Sequence, residues 1–321
     1  MHRTRAFTIL ELLVSMAVLA ALTVLLATLF QSASHAWQAS GSRSERNRSG
    51  QVLMEYAARE LRSAALPVET LSKAGAPNLQ FLVNPPPVSV PEDCRNPHCL
   101  FWQAPVATEQ SWGEFAEVGY FVKWEPVGET AVPSLRRFFV NPSYYDQTTG
   151  RQERNPDFRI YSHYASWLTP ELIEKVAPAD AVSGYAGLVA ENVLGLWVRL
   201  YDPDGKEIME SPSAAVPESQ FDSRAGYRYT PLPAEGGTGS SQIRYLPSRV
   251  SLSIAQLHGR HAAQMGTAWK RVRELANAPE TLDAAAFVTR FQEAAQKDAA
   301  LRALLPGLRT YQVSTVLENA R

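Results

Sequence analysis

Glu11 is a lone carboxylate within a long apolar segment. The segment runs from Phe7 to Phe30 and carries no other charged side chain. A carboxylate inside a membrane-spanning helix costs several kcal/mol by most estimates, so such a residue is usually retained because it has a partner. The position of Glu11 therefore predicts that it pairs with a positively charged group.

The apolar segment is long enough to cross a membrane. A helix over residues 7–30 would be roughly 36 Å long at about 1.5 Å per residue, which is enough to span the hydrocarbon core. Arg3 and Arg5 precede this segment, and the next charged residue is Arg43. Because basic residues beside a membrane segment stay on the cytoplasmic side, everything after residue 30 is predicted to be exported.

Two ordinary N-terminal signals fit these residues less well. A secretory signal peptide has an apolar core of about 7–15 residues followed by small residues at a cleavage site. In this chain the apolar run is longer, and the small residues from Ser32 to Ala36 come only after it. An uncleaved signal anchor fits the length of the segment, but it does not explain Glu11.

Residues 5–14 resemble the class III signal sequence of type IV pilins and type II secretion pseudopilins. That signal has a short basic leader, a small residue, Phe-Thr-Leu-x-Glu and a long apolar helix. The resemblance implies that prepilin peptidase cuts between Ala6 and Phe7 and methylates the new amine of Phe7. It also implies that Glu11 is the assembly residue, whose carboxylate pairs with the Phe7 ammonium of a neighbouring subunit in a low-dielectric bundle. The family usually has glycine where this chain has Ala6.

The helix is predicted to continue beyond the membrane. Residues 31–66 contain no proline, and Pro67 marks the predicted end. An apolar stripe at helical spacing predicts that this half packs on the exported domain. The stripe contains Leu53, Ala57, Leu61 and Ala64, and the residues predicted on the other faces are Glu55, Arg59, Glu60 and Arg62.

The exported residues 67–321 are predicted to be rich in β-strands. Alternating, β-branched and aromatic runs predict strands at Leu79–Val83, Leu100–Ala104, Val118–Trp124, Ser134–Val140, Leu188–Leu200, Arg249–Leu257 and Thr310–Leu317. Residues 259–276 and 280–304 have helical spacing, and Pro212–Gly239 is predicted to be a surface loop. The predicted fold class is α+β. A leader (1–6) precedes a pilin-type helix with a membrane half (7–30) and an amphipathic half (31–66), which packs on a β-rich domain with additional C-terminal helices.

Segments beyond the leader resemble a narrower class, the minor pseudopilin J class of type II secretion. They are the end of the long helix, Tyr120 with Leu135-Arg136-Arg137, Ala190–Leu196 and Leu246–Val250. Four further segments resemble the Verru_Chthon cassette protein C family: Phe101–Pro105, Gly119–Val122, Phe221–Arg224 and Tyr311–Val313. These resemblances imply a single-pass inner-membrane protein with its globular domain in the periplasm or cell envelope. Its partners would be prepilin peptidase and other pseudopilin subunits.

Cys94 and Cys99 are the two cysteines of the chain, and they flank a short loop that contains Pro97. In an oxidising compartment this spacing predicts a disulfide. A metal site that uses both sulfurs and His98 lacks a fourth ligand in the sequence. Two free thiols are the third alternative.

Composition and motifs exclude several other classes. The formal net charge is −1 and the sequence pI is near 6.6, which does not suggest a nucleic-acid-binding protein. Because the chain contains no recognisable catalytic or phosphate-binding motif, we expect no enzyme, no cofactor and no metal. Asp202-Pro203-Asp204-Gly205 is predicted to be a turn and not a calcium loop.

Two other functions stay open from the sequence. One is a binding or adhesion module displayed on a fibre, for which an exposed aromatic patch could serve. The candidate patch residues are Trp102, Trp112, Trp124 and Trp167, although burial in the core is the expectation for most of them. The other is a signal-anchored exported domain of unknown activity.

Overall fold

The computed structural model describes Met16 and residues 50–65, 79–85, 88–108, 111–159, 167–175, 185–208, 221–223, 227–229, 241–243 and 246–317. The chain divides into two units, residues 1–50 and 51–321, and the β-sheets lie in the second. The predicted leader 1–6 and, apart from Met16, the predicted membrane half 7–30 lie outside the described residues. Among the residues described, no helix has both the length and the apolar character that crossing a bilayer requires.

The described part of the second unit consists mainly of strands, with a group of short helices before the last strand. The strands are β1 (Phe81–Val83), β2 (Cys99–Ala104), β3 (Ala116–Val127), β4 (Thr130–Val140), β5 (Ser143–Asp146), β6 (Arg151–Arg154), β7 (Ala186–Glu191), β8 (Val193–Tyr201), β9 (Glu207–Ile208), β10 (Phe221–Asp222), β11 (Tyr227–Tyr229), β12 (Ser241–Ile243), β13 (Arg249–Leu257) and β14 (Leu308–Val316). The helices are α1 (described over residues 50–62), α2 (Pro170–Glu174), α3 (Arg260–Ala263), α4 (Trp269–Ala276), α5 (Ala284–Lys297) and α6 (Ala299–Leu304). The predicted α+β class is confirmed for this unit.

The larger sheet has six antiparallel strands in the order β10-β1-β2-β3-β4-β7. Because side chains alternate between the two faces of a strand, this sheet contributes to two apolar clusters. On one face, Trp102 and Tyr120 belong to the cluster shared with α1 and the second sheet. On the other face, Phe101 and Phe121 pack in a separate cluster with Trp167, which precedes α2. Both faces are therefore covered, as the apolar composition of these strands requires.

The smaller sheet has four antiparallel strands in the order β14-β13-β8-β9. Trp197 on β8 packs against Phe287 of α5, with ring centroids 5.4 Å apart. The side chain of Asp283 caps α5 by accepting a hydrogen bond from the backbone N–H of Ala286 at 2.8 Å. Asp298 caps α6 in the same way, so its position separates two helices.

The predicted strands are found close to their predicted positions, with one division that was not predicted. Val118–Trp124 and Ser134–Val140 lie in β3 and β4, which pair as predicted across a turn at Gly128. Residues Leu188–Leu200 form not one strand but two, β7 and β8, which belong to different sheets. Asn192 lies between them with a φ of +59°, a left-handed conformation that ends one strand and redirects the chain.

Other predicted elements were wrong in detail. Residues 259–276 and 280–304 each form shorter helices, because Gly266 and the cap at Asp298 interrupt them. The predicted loop 212–239 contains β10 and β11 among its described residues. The hairpin β5–β6 and helix α2 were not predicted.

Candidate functional site

Helix α1 docks on the globular unit through its apolar stripe. Met54, Ala57 and Leu61 are buried, as is Ala64 just beyond the helix, and all four belong to the main core cluster. Burying apolar side chains contributes about 25 cal/mol for each Å² removed from water, so this stripe is the main force that holds the helix. The predicted packing of residues 53–64 on the domain is confirmed; the helix over residues 31–49 stays a prediction.

Glu60 departs from its predicted position on a polar face of this helix. It is only 8% exposed, and its carboxylate accepts hydrogen bonds from Arg137 through Nε at 3.1 and 3.0 Å and through Nη2 at 2.5 Å. Tyr120 and Tyr56 also donate their hydroxyls to it, at 2.5 and 3.1 Å. A carboxylate this buried is tolerated because charged and polar donors surround it.

Strand pairing brings the donors of Glu60 together. Tyr120 on β3 and Arg137 on β4 are directly opposite each other in the sheet, so their side chains emerge side by side on the face that α1 covers. The Arg137 guanidinium also lies 3.9 Å from the ring centroid of Phe139. We call Tyr56, Glu60, Tyr120 and Arg137 the helix-docking network.

Burial and charge shift the pKa values within the helix-docking network. Burial, reinforced by the charge of Glu60, raises the pKa of the Tyr120 hydroxyl far above its usual range. Burial alone lowers the pKa of Arg137, but its hydrogen bonds to Glu60 outweigh this and raise the pKa above its usual value. The tyrosine therefore stays a proton donor and the arginine stays charged at any physiological pH.

A second contact joins the far end of α1 to the smaller sheet. Arg62 donates through Nε to the hydroxyl of Thr315 on β14, at 3.2 Å. The first contact lies on the larger sheet and the second on the smaller one. Helix α1 therefore bridges both sheets.

Cys94 and Cys99 are both free thiols. Both are buried in the cluster of the larger sheet that contains Phe101, Phe121 and Trp167. Burial raises the pKa of Cys99 to about 12 and that of Cys94 still higher. A raised thiol pKa leaves little of the reactive thiolate. The disulfide between them stays a prediction for the exported protein.

The loop between the two cysteines is held by both sheets. Asn96 donates to the backbone oxygens of Asp93 at 2.7 Å and Val122 at 2.8 Å, and its own oxygen accepts from Arg273 of α4 at 2.9 Å. His98, which is half-buried, accepts a hydrogen bond at Nδ1 from the backbone of Val198, at 2.8 Å. Because these partners belong to both sheets, the loop helps to connect the two sheets. Its proline and polar residues did not predict this role.

A cleft of about 510 Å³, lined by aromatic and polar side chains, opens beside the hairpin β5–β6. Tyr144 and Tyr145 of the hairpin line it, together with Tyr185, Asp157 and Lys175. Tyr145 is 50% exposed, so its ring is available to a ligand. No sequence pattern indicated this cleft, since its residues come from separate segments of 139–185.

The remaining predicted features have clear positions in the structure. Of the four tryptophans considered for an exposed patch, Trp102, Trp124 and Trp167 are buried, and Trp112 is 54% exposed. The core expectation is therefore confirmed for three of them. Asp202 forms the predicted turn after β8, where its side chain accepts from the backbone N–H of Lys206 at 2.7 Å.

The processing signal itself lies outside the described residues, including Ala6, Phe7 and Glu11. Comparison with known proteins addresses it directly. Residues 1–27 match the family model described as the prokaryotic N-terminal methylation motif. Comparison with curated protein sequences gives no match. The chain therefore carries the N-terminal signal of type IV pilin-like prepilins, a signal typical of membrane-anchored, exported proteins.

Proposed function

We propose that this chain is a minor pseudopilin that assembles with other prepilin-like subunits in a type II secretion or type IV pilus-like system. The observation that carries the proposal is the match of residues 1–27 to the N-terminal methylation motif. Prepilin peptidase would cut between Ala6 and Phe7 and methylate Phe7. The mature protein would then be anchored in the inner membrane by residues 7–30, with the globular domain in the periplasm or cell envelope.

Glu11 is the assembly residue of this proposal. In a bundle of apolar helices, the ammonium of Phe7 on one subunit and the carboxylate of Glu11 on its neighbour are each costly alone. Pairing them offsets much of that cost, so assembly is favoured over isolated subunits in the membrane.

The docking of α1 supports this role. A subunit that joins its neighbours through an N-terminal helix needs that helix to be fixed to its exported domain. Buried Leu61 and the Glu60–Arg137 pair provide such a fixation. We propose that the helix continues from α1 through residues 31–49 into the membrane half, and that the role is structural and not catalytic.

The narrower relationship is also part of the proposal. Tyr120 and Arg137, two residues on which the resemblance to the J class of minor pseudopilins rests, converge on Glu60 of α1. This common contact gives a physical reason for the resemblance. Within that class, the Verru_Chthon cassette protein C family is our proposed assignment.

Mass spectrometry of the full chain tests the processing step. The protein is co-expressed with an active prepilin peptidase and, as the control, with a catalytically inactive one. We expect the N-terminal peptide to begin at N-methyl-Phe7 only with the active enzyme. A chain that still begins at Met1 beside an active peptidase would contradict the proposal.

Co-purification tests the assembly step. Membranes that contain the full chain and its sibling prepilin-like subunits are cross-linked, and the complexes are recovered through a tag on this chain. Glu11→Gln removes the charge at nearly constant volume and is expected to abolish recovery of the siblings. Ser15→Ala, one helical turn further along, is the matched control and is expected to leave recovery unchanged.

A further inference from the structure

We propose that the cleft beside the hairpin β5–β6 binds a neutral oligosaccharide, with a sugar ring stacked on Tyr145. The proposal concerns a second property of the exported domain and does not depend on the pseudopilin role. The volume of the cleft, about 510 Å³, falls within the roughly 300–1,000 Å³ of small-ligand sites.

The wall of the cleft combines an aromatic ring with a planar amide. Tyr145 on β5 is directly opposite Gln152 on β6 in the hairpin register, so both side chains emerge on the same face. Both line the cleft, and the ring of Tyr145 is half exposed. A pyranose presents C–H groups on one face and hydroxyls around its edge, so it can stack on the exposed ring while its hydroxyls bond to polar groups of the lining.

The ionised groups of the cleft are already engaged with the protein. Lys175 lies 2.6 Å from Asp157, and Tyr185 donates its hydroxyl to the same carboxylate at 2.9 Å. Asp146 accepts the backbone N–H of Thr148 at 2.7 Å and so caps the hairpin turn. Backbone hydrogen bonding at that turn lowers the pKa of Asp146 below its usual value.

These engagements decide the class of ligand. Among the described residues that line the cleft, Lys175 is the one cation, and Asp157 neutralises it, so an anion such as phosphate gains little there. A purely apolar ligand would remove water from the amides and carboxylates without replacing their hydrogen bonds, which is unfavourable. A neutral ligand with many hydroxyls avoids both costs, because each hydroxyl can donate and accept.

The wall of the cleft that Asn155 and Tyr185 form is held in place by hydrogen bonds, as is typical of a preformed binding site. Asn155 holds this wall: its amide donates to the backbone oxygen of Asn141 at 2.9 Å, and its side-chain oxygen lies 3.1 Å from the Tyr185 hydroxyl. The backbone of Phe139 donates to the backbone oxygen of Tyr185 at 2.9 Å. This wall is therefore held in place before a ligand arrives, which lowers the entropic cost of binding.

Isothermal titration of the full chain in lipid nanodiscs tests the inference. Nanodiscs are used because detergents with sugar head groups would compete for the cleft. The probes are cellohexaose, maltohexaose and the hexamer of N-acetylglucosamine, with hexalysine as the alternative cationic ligand. Binding of the N-acetylglucosamine chain alone would indicate a cell-wall glycan, and binding of a glucan would indicate a surface polysaccharide; either result supports the proposal.

Three variants locate the binding to Tyr145. Tyr145→Ala is expected to weaken saccharide binding about three- to tenfold, the amount that corresponds to loss of one aromatic contact. Tyr145→Phe keeps the ring and is expected to bind as the parent does. Trp112→Ala, which removes an exposed aromatic outside the cleft, is the matched control and is expected to have no effect.

Several results would overturn the proposal. They are binding of none of the three saccharides, binding of hexalysine in their place, and saccharide binding that Tyr145→Ala leaves unchanged. Equal loss in Tyr145→Phe and Tyr145→Ala would also count against it, because the ring would then contribute nothing. Circular dichroism of each variant separates a loss of binding from a loss of fold, and we expect each variant to fold because Tyr145 is half exposed.

Discussion

Glu60 and Arg137 form a two-point ion pair between helix α1 and strand β4, although 77 residues separate them in the chain. Their shortest contact is 2.5 Å. The pair is largely enclosed, with Tyr120 and Tyr56 on the same carboxylate. It therefore fixes the position of the helix along the sheet, whereas the apolar stripe supplies most of the free energy of docking.

Glu60→Gln should destabilise the globular unit by about 2–4 kcal/mol, because it leaves the guanidinium of Arg137 without its counter-charge in a desolvated site. Chemical denaturation of the full chain, followed by tryptophan fluorescence, measures the effect. Glu55→Gln on the exposed face of the same helix is the control and should change the free energy of unfolding by less than about 0.5 kcal/mol. Equal effects of the two substitutions would show that the ion pair is not needed for docking.

Gly119→Ala should lower the free energy of unfolding by about 1–3 kcal/mol, because overpacking forces neighbouring side chains out of their rotamers. A Cβ at this position would lie 2.2 Å from Cδ1 of Phe101, whose ring is packed against Phe121 and Phe138. Gly187→Ala on β7 is the matched control, since its Cβ would be 3.9 Å from the nearest atom. Thermal unfolding of both variants decides the matter: a Gly119→Ala protein as stable as the control would mean that the ring can move aside.

His98 should make the unfolding free energy decrease as the pH falls below about 6.5. Burial lowers the pKa of this histidine to about 4 in the folded protein. Between pH 6.5 and 4 the unfolded chain therefore binds a proton that the folded chain does not, so protonation favours unfolding. The expected loss from pH 7.5 to pH 5 is about 2 kcal/mol from this residue.

The variant His98→Gln isolates that contribution. Glu117 acts in the opposite sense, because burial raises its pKa well above the usual value and its folded form gains stability as the pH falls. The measurement is therefore the difference in pH dependence between the parent and His98→Gln, with urea denaturation at each pH. Identical profiles would mean that the pKa of His98 is the same in the folded and the unfolded protein.

Cys94 and Cys99 should react slowly with iodoacetamide in the folded, reduced protein at pH 8, and rapidly in denaturant. The reason is that both thiols are buried and their pKa values are raised, so the thiolate is scarce. In protein isolated from the cell envelope without reductant, we expect the predicted disulfide, detected by peptide mass spectrometry. Fast labelling of the folded protein, or free thiols in the exported protein, would contradict the respective expectation.

The sequence alone was sufficient where the information is local and contiguous. The signal around Phe7 and Glu11 is a short run with fixed spacing, and the family comparison finds a methylation motif over the same residues. The pairing of β3 with β4 was also predictable, because two alternating apolar runs flank one turn. The apolar stripe of α1 is likewise visible from its helical spacing.

Tertiary structure alone decided features that depend on distant partners. Glu60 is buried because Tyr120 and Arg137 meet it from neighbouring strands, and no helical pattern contains that information. Asn192 divides one predicted strand between two sheets. The polar pair Glu191-Asn192 interrupts the run, but the sheet that each half joins is set by distant strands. The cleft at Tyr145 exists because a hairpin and two later segments converge there. Local spacing determines which face of an element is apolar, but the identity of the group that covers that face is fixed only when the chain folds.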